Sequence, residues 1–124
     1  MPTTTPTSSN AKALDASAQL AEADLSAMQD NAAQAAALLK LLSNSHRLMI
    51  VCTLLNEELS VGALNERLAL SQSALSQHLA VLRDAELLAT RRQGQTIYYR
   101  LADPANNPAT AIVATLHSIY CPDL

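Results

Sequence analysis

The apolar residues of this chain change their period near Glu86, and that switch limits the folds open to it. Before Glu86 they recur every three to four residues. After it, Leu88 and Thr90, then Thr96, Tyr98 and Arg100 alternating with Ile97, Tyr99 and Leu101, fall to a period of two around Gln93–Gly94. A single β-hairpin set among helices is the expected result, in one small domain, since the chain has 124 residues. An all-β architecture is excluded by composition. Many-stranded folds consume turn glycines and aromatic or β-branched residues, whereas here there are two Gly, no Phe, no Trp and three Tyr. With 49% hydrophobic residues, the core has to be built from Leu, Ala, Val and Ile.

Residues 1–10, MPTTTPTSSN, carry no apolar side chain after Met1 and are expected to be a disordered tail, leaving 11–124 as the folded domain. From Leu14 the spacing becomes that of a helix seam: Leu14, Ala18, Ala21, Leu25, Met28, Ala32, Ala35, Leu39 and Leu42 follow alternating steps of four and three. This stripe suits either an ordinary amphipathic helix or a dimer helix, with Asp30–Asn31 as a point of division. Ser43–Asn44–Ser45 supplies cap residues for a helix carrying Leu48, Val51, Cys52 and Leu55, expected to end near Glu57. Ser60 can cap a short helix with Leu64 and Leu68 on one face, and Ser71 another with Leu75, Leu79 and Leu82. Asn107–Pro108 opens the last helix, running to Cys121.

Two short capped helices joined tightly have the form of a helix-turn-helix, and a basic hairpin after them makes it a winged helix: mainly α, with a two-stranded wing. The formal charge of −3 argues against a nucleic-acid partner only superficially. Lys12 against Asp15, Glu22, Asp24 and Asp30 already accounts for it. Residues 67–100 hold Arg67, Arg83, Arg91, Arg92 and Arg100 against Asp84 and Glu86, a local positive excess. The polar face of Ser71, Gln72, Ser73, Ser76 and Gln77 can meet base edges and phosphates in the major groove, while Arg91, Arg92, Gln93 and Gln95 crowd the wing. A plain solvated face is the alternative for the Ser and Gln residues. His78 borders the Leu75/Leu79 stripe and suits a core-edge position as well as a DNA contact.

The stretch from Leu38 to Leu101, with LLSNSHRLMIVCTLL, ELSVGALNERLALSQSALSQHLAVLRDAELL and QGQTIYYRL, closely resembles the ArsR-type bacterial repressors. The resemblance implies a homodimeric winged-helix regulator that alters its grip on double-stranded operator DNA when an inducer binds or reacts. The terminal helices are the expected dimer interface, and two reading helices on a two-fold axis make an imperfect palindrome the expected operator. The want of a basic N-terminal stretch or a long apolar run makes the cytoplasm the expected location. Metal-sensing members of that family begin the third helix with a Glu-Leu-Cys-Val-Cys type box. Here it reads Glu58-Leu59-Ser60-Val61-Gly62. Neither Ser nor Gly replaces a thiolate as a soft ligand.

What remains is Cys52 and Cys121. The resemblance brings their two helices together and matches a thiol-based subgroup of reactive-sulfur and redox sensors, in which such a dithiol closes into a disulfide or sulfur-bridged link. The plain alternative for Cys52 is a small apolar filler beside Val51. His117, four residues before Cys121, can favour its thiolate or complete a Cys52, His117, Cys121 metal site, the competing reading. No resident cofactor or membrane partner is expected, and no nucleophile elbow, phosphate loop or carboxylate pair suggests an enzyme.

Overall fold

The computed structural model describes residues 8–122, with side chains from Leu25 onward. The elements run α1 (Ser8–Leu42), α2 (Ser45–Thr53), β1 (Leu59–Ser60), α3 (Val61–Arg67), α4 (Gln72–Asp84), β2 (Leu88–Gln93), β3 (Thr96–Leu101) and α5 (Pro108–Tyr120). The chain divides into two compact units, Met1–Ala37 and Leu38–Leu124. The first unit consists of α1 up to Ala37. Of the tail expected over residues 1–10, positions 1–7 lie outside the described residues and Ser8–Asn10 form the first turn of α1. The division at Asp30–Asn31 does not occur. Asn31 turns its Nδ2 back onto the Ala27 carbonyl at 2.9 Å, spending its side chain within the helix rather than capping a new one.

The second unit holds the core. Leu42, Ile50, Val51, Leu54, Leu64, Leu75, Leu79, Leu82, Leu88, Leu101, Ala109 and Val113 are all buried together, contributed by every helix of the unit and by the sheet. The boundaries follow local chemistry. Asn44 Oδ1 accepts from His46 N at 2.9 Å and Arg47 N at 3.2 Å, starting α2. Ser60 and Ser71 hydroxyls accept from Ala63 N and Ala74 N, each at 3.1 Å, starting α3 and α4.

One boundary departs from the sequence reading. α2 stops at Thr53 rather than near Glu57, because Leu59 and Ser60 leave to pair antiparallel with Tyr99 and Tyr98 as β1, a third strand beside the hairpin, in the order β1-β3-β2. α4 ends in a left-handed residue that is not glycine: Glu86 has φ 63°. Its N–H donates to Arg83 O at 2.9 Å and Leu87 N–H donates to Leu82 O at 3.0 Å, the paired bonds that close a helix at such a residue. They turn the chain straight from α4 into the wing.

The wing has continuous register from Leu88↔Leu101 to Gln93↔Thr96, leaving Gly94 and Gln95 as a two-residue turn. Gly94 takes φ 63° there, which a hairpin turn of this length demands and a side chain resists. At the wing's other end Asn107, 6% exposed, joins three elements. Its Nδ2 donates to Leu87 O at 2.9 Å and Ala102 O at 2.7 Å, and its Oδ1 accepts from Ala109 N at 2.9 Å to start α5.

Candidate nucleic-acid interface and thiol cleft

Burying Leu75, Leu79 and Leu82 fixes the rotation of α4. Gln72, Ser73, Ser76 and Gln77 are thereby left exposed on its outer face, with Gln72/Ser76 and Ser73/Gln77 stacked one turn apart. Ser71 is also exposed, but its oxygen serves the α4 cap, so it contributes mainly by placing the helix start. His78 is half-buried. Its Nδ1 accepts from Arg47 Nε at 3.3 Å and its ring lies 5.7 Å from that of His46. Burial, then the charges of Arg47 and His46, hold its pKa below the ordinary histidine value.

The wing is organised more tightly than its composition suggested. Arg91 Nε donates to Glu58 Oε1 at 2.7 Å, its Nη1 donates to Gln93 Oε1 at 2.9 Å, and its guanidinium lies 4.4 Å from the centre of the Tyr98 ring. Arg100 approaches the other Glu58 oxygen at 4.0 Å. Arg92 is turned to the tip, where Nε donates to Gly94 O at 3.2 Å. Gln95 is exposed in the turn.

Sequence reasoning missed two of these residues. Glu58 was visible only as the opening of an absent metal box, and its place at the foot of the wing follows from the β1–β3 pairing, which has no local signal. Arg47 gave no sign of reaching His78, 31 positions away.

Cys52 on α2 and Cys121 at the end of α5 are free thiols, both half-buried. They line one cleft of about 410 Å³ together with Leu48, Met49, Val113, Leu116, His117 and Tyr120. Cys52 and His117 also border an adjoining cleft of about 330 Å³ with Asn56 and Thr110. Among the described residues no group of three or more His, Cys, Asp or Glu is gathered as a metal site requires; Cys52, His117 and Cys121 border the same space without forming a ligand cluster. Nor does any described helix have the length and apolarity to cross a membrane.

Residues 44–90 match the family described as bacterial regulatory protein, arsR family. Over 98 residues the chain is 49% identical to transcriptional activator HlyU of Vibrio cholerae, covering 79% of this chain and 88% of that protein. Over 102 residues it is 42% identical to the biofilm growth-associated repressor of Agrobacterium fabrum, covering 82% of this chain and 85% of that one. Its fold is similar to the structure of reduced HlyU from Vibrio cholerae, with a TM-score of 0.70 and 50% identity over 76% of this chain and 96% of that one.

Proposed function

The chain belongs to the arsR family of bacterial regulatory proteins, and from that membership we propose a homodimeric, cytoplasmic transcriptional regulator whose hold on operator DNA is set by the redox state of Cys52 and Cys121. The DNA-contacting groups are those of α4 (Ser71, Gln72, Ser73, Ser76, Gln77 and His78) and of the wing (Arg91, Arg92, Gln93 and Gln95). The observation that carries the switch is the shared cleft: two free thiols from α2 and α5, 69 positions apart in sequence, border one largely apolar space. A relative's structure is described as reduced HlyU, so redox state is a property distinguished in that protein.

A persulfide RSSH supplies the oxidising equivalents. The two thiols give up their hydrogens, the sulfane sulfur of RSSH is reduced and leaves as hydrogen sulfide, RSH is released, and a Cys52–Cys121 bond forms. Closing a loop of this length constrains the unfolded chain by about 4 kcal/mol on the entropic view, so the linked state persists until it is reduced. The link alters how α2 packs on α5. Because α2 leads through β1 and α3 into α4, the spacing of the two reading helices in the dimer changes with it, and operator affinity falls.

The test is a mobility-shift titration before and after persulfide treatment, alongside mass spectrometry of the intact chain. Wild type loses affinity as the bond forms, whereas Cys52→Ser and Cys121→Ser each bind when reduced and ignore persulfide. Release of DNA from either single variant on persulfide treatment overturns the dithiol mechanism. Release by zinc or copper, with no response to persulfide, replaces it with metal sensing.

A further inference from the structure

Arg47 occupies the first turn of α2 and spans two other elements with a single guanidinium. Its Nη1 donates to the Leu41 carbonyl at 3.3 Å, one of the carbonyls that the end of α1 leaves without an intrahelical partner, and its Nε donates to His78 Nδ1 at 3.3 Å. A planar fork reaching a backbone oxygen on one side and a ring nitrogen on the other fixes both directions, which a lysine ammonium does not. His78 is one residue, or about 100°, past Gln77. It lies between the exposed face of α4 and the face buried through Leu75 and Leu79, and so at the flank of the reading surface, where the wall of a groove presents phosphates.

We propose that Arg47 is a positioning residue for DNA binding: by occupying His78 Nδ1 as an acceptor it holds the imidazole with its proton on Nε2, so that His78 donates from Nε2 to a backbone phosphate oxygen at the edge of the groove. A neutral imidazole has one N–H and one bare nitrogen, and whichever nitrogen accepts from Arg47 cannot be the one that donates to DNA. The groups facing His78 reinforce the neutral form. Burial, Arg47 and His46 all oppose its protonation. A phosphate contact positions the helix without reading sequence, so its loss should weaken operator and random duplex alike. This inference rests on the DNA-contacting role proposed for α4.

Three measurements test it. In nitrogen–proton correlation spectra of the free protein at pH 7.5, His78 should show the Nε2–H tautomer, and Arg47→Lys should release it into a mixture while circular dichroism shows the fold retained. His78→Gln, which carries an amide donor near the Nε2 position, should keep duplex affinity within about threefold, while His78→Asn, whose amide sits nearer Nδ1, should lose roughly tenfold on operator and random sequence alike. An Nδ1–H or charged ring in the wild type overturns the proposal. So do equal losses from His78→Gln and His78→Asn. Wild-type protein that binds no duplex overturns the DNA reading as well, whereas one that binds with the wrong tautomer overturns only the role of Arg47.

Discussion

Glu58 and Arg91 meet at 2.7 Å at the foot of the wing, with the arginine laid over the Tyr98 ring. Both side chains are partly exposed, 25% for Glu58 and 47% for Arg91, so the pair contributes at most about 1 kcal/mol to stability. Its consequence is for charge: in the free protein Arg91 already has a carboxylate partner, whereas Arg92 at the tip is held only by a backbone oxygen.

The wing should therefore show an ordered salt response. Arg91→Ala combined with Arg92→Ala should weaken binding to any duplex and reduce the slope of log affinity against log salt by about one to two, with Arg92 contributing close to one and Arg91, which has to leave Glu58 first, less. Glu58→Gln should act the other way, tightening binding to random DNA as Arg91 is released. Salt titrations of the three proteins measure this; a double variant with the wild-type slope removes the wing from the DNA interface.

Gln77 should behave differently, because its face of α4 is turned outward with no charge to offer a phosphate. Gln77→Ala should narrow the gap between operator and random DNA by about 1–3 kcal/mol if the amide bonds a base edge in two places. Competition binding on both duplexes decides it, and equal losses on the two would make Gln77 a positioning residue.

Asn107 is expected to be the most costly polar residue to remove. Asn107→Ala takes away the α5 cap, leaves the half-buried Ala102 carbonyl without its side-chain donor, and leaves the Leu87 carbonyl only its bond from Ala102 N–H. The loss should be about 2–4 kcal/mol in urea unfolding. A change under about 1 kcal/mol would show that water replaces the amide at the Ala102 carbonyl.

Glu86 offers the opposite sign. Its φ of 63° places a side chain where glycine is the residue without a steric penalty. Glu86→Gly should raise stability by roughly 0.5–1 kcal/mol, the strain relieved exceeding the entropy added to the unfolded chain. A lower melting temperature in that variant would show that the Glu86 side chain makes a contribution of its own.

The helix starts were legible because a cap is local chemistry: Asn44, Ser60, Ser71 and Asn107 each bond a backbone N–H two or three residues on. The hairpin was legible from its period of two and Gly94. What escaped was set by partners distant in sequence. β1 is two residues long and exists only through Tyr98 and Tyr99, and its formation is what ended α2 early and brought Glu58 to the wing. The partnership of Arg47 with His78 likewise depends on how α2 packs on α4. The candidate DNA face could be read from exposed Ser and Gln at helical spacing, whereas the groups behind it that orient it could not.

The remaining prediction concerns assembly. Ile119 and Tyr120 on α5 are 60% and 79% exposed, Met49 on α2 is 50% exposed, and Leu25 and Met28 on the α1 seam are 59% and 57% exposed. On either helix taken by itself, large apolar side chains left open are costly in a lone chain, and those of α5 suit a two-fold interface, in which each protomer covers the same surface of the other. Ile119→Glu with Tyr120→Glu would bring carboxylates face to face across such an interface. It should shift the protein from dimer to monomer in sedimentation, abolish the concentration dependence of its melting temperature, and cut operator affinity steeply. The wild-type footprint should cover two half-sites about one helical turn apart, matching two reading helices on a two-fold axis. A footprint over one half-site would overturn the two-fold arrangement on the operator, and an undiminished dimer in the double variant would move the interface away from α5.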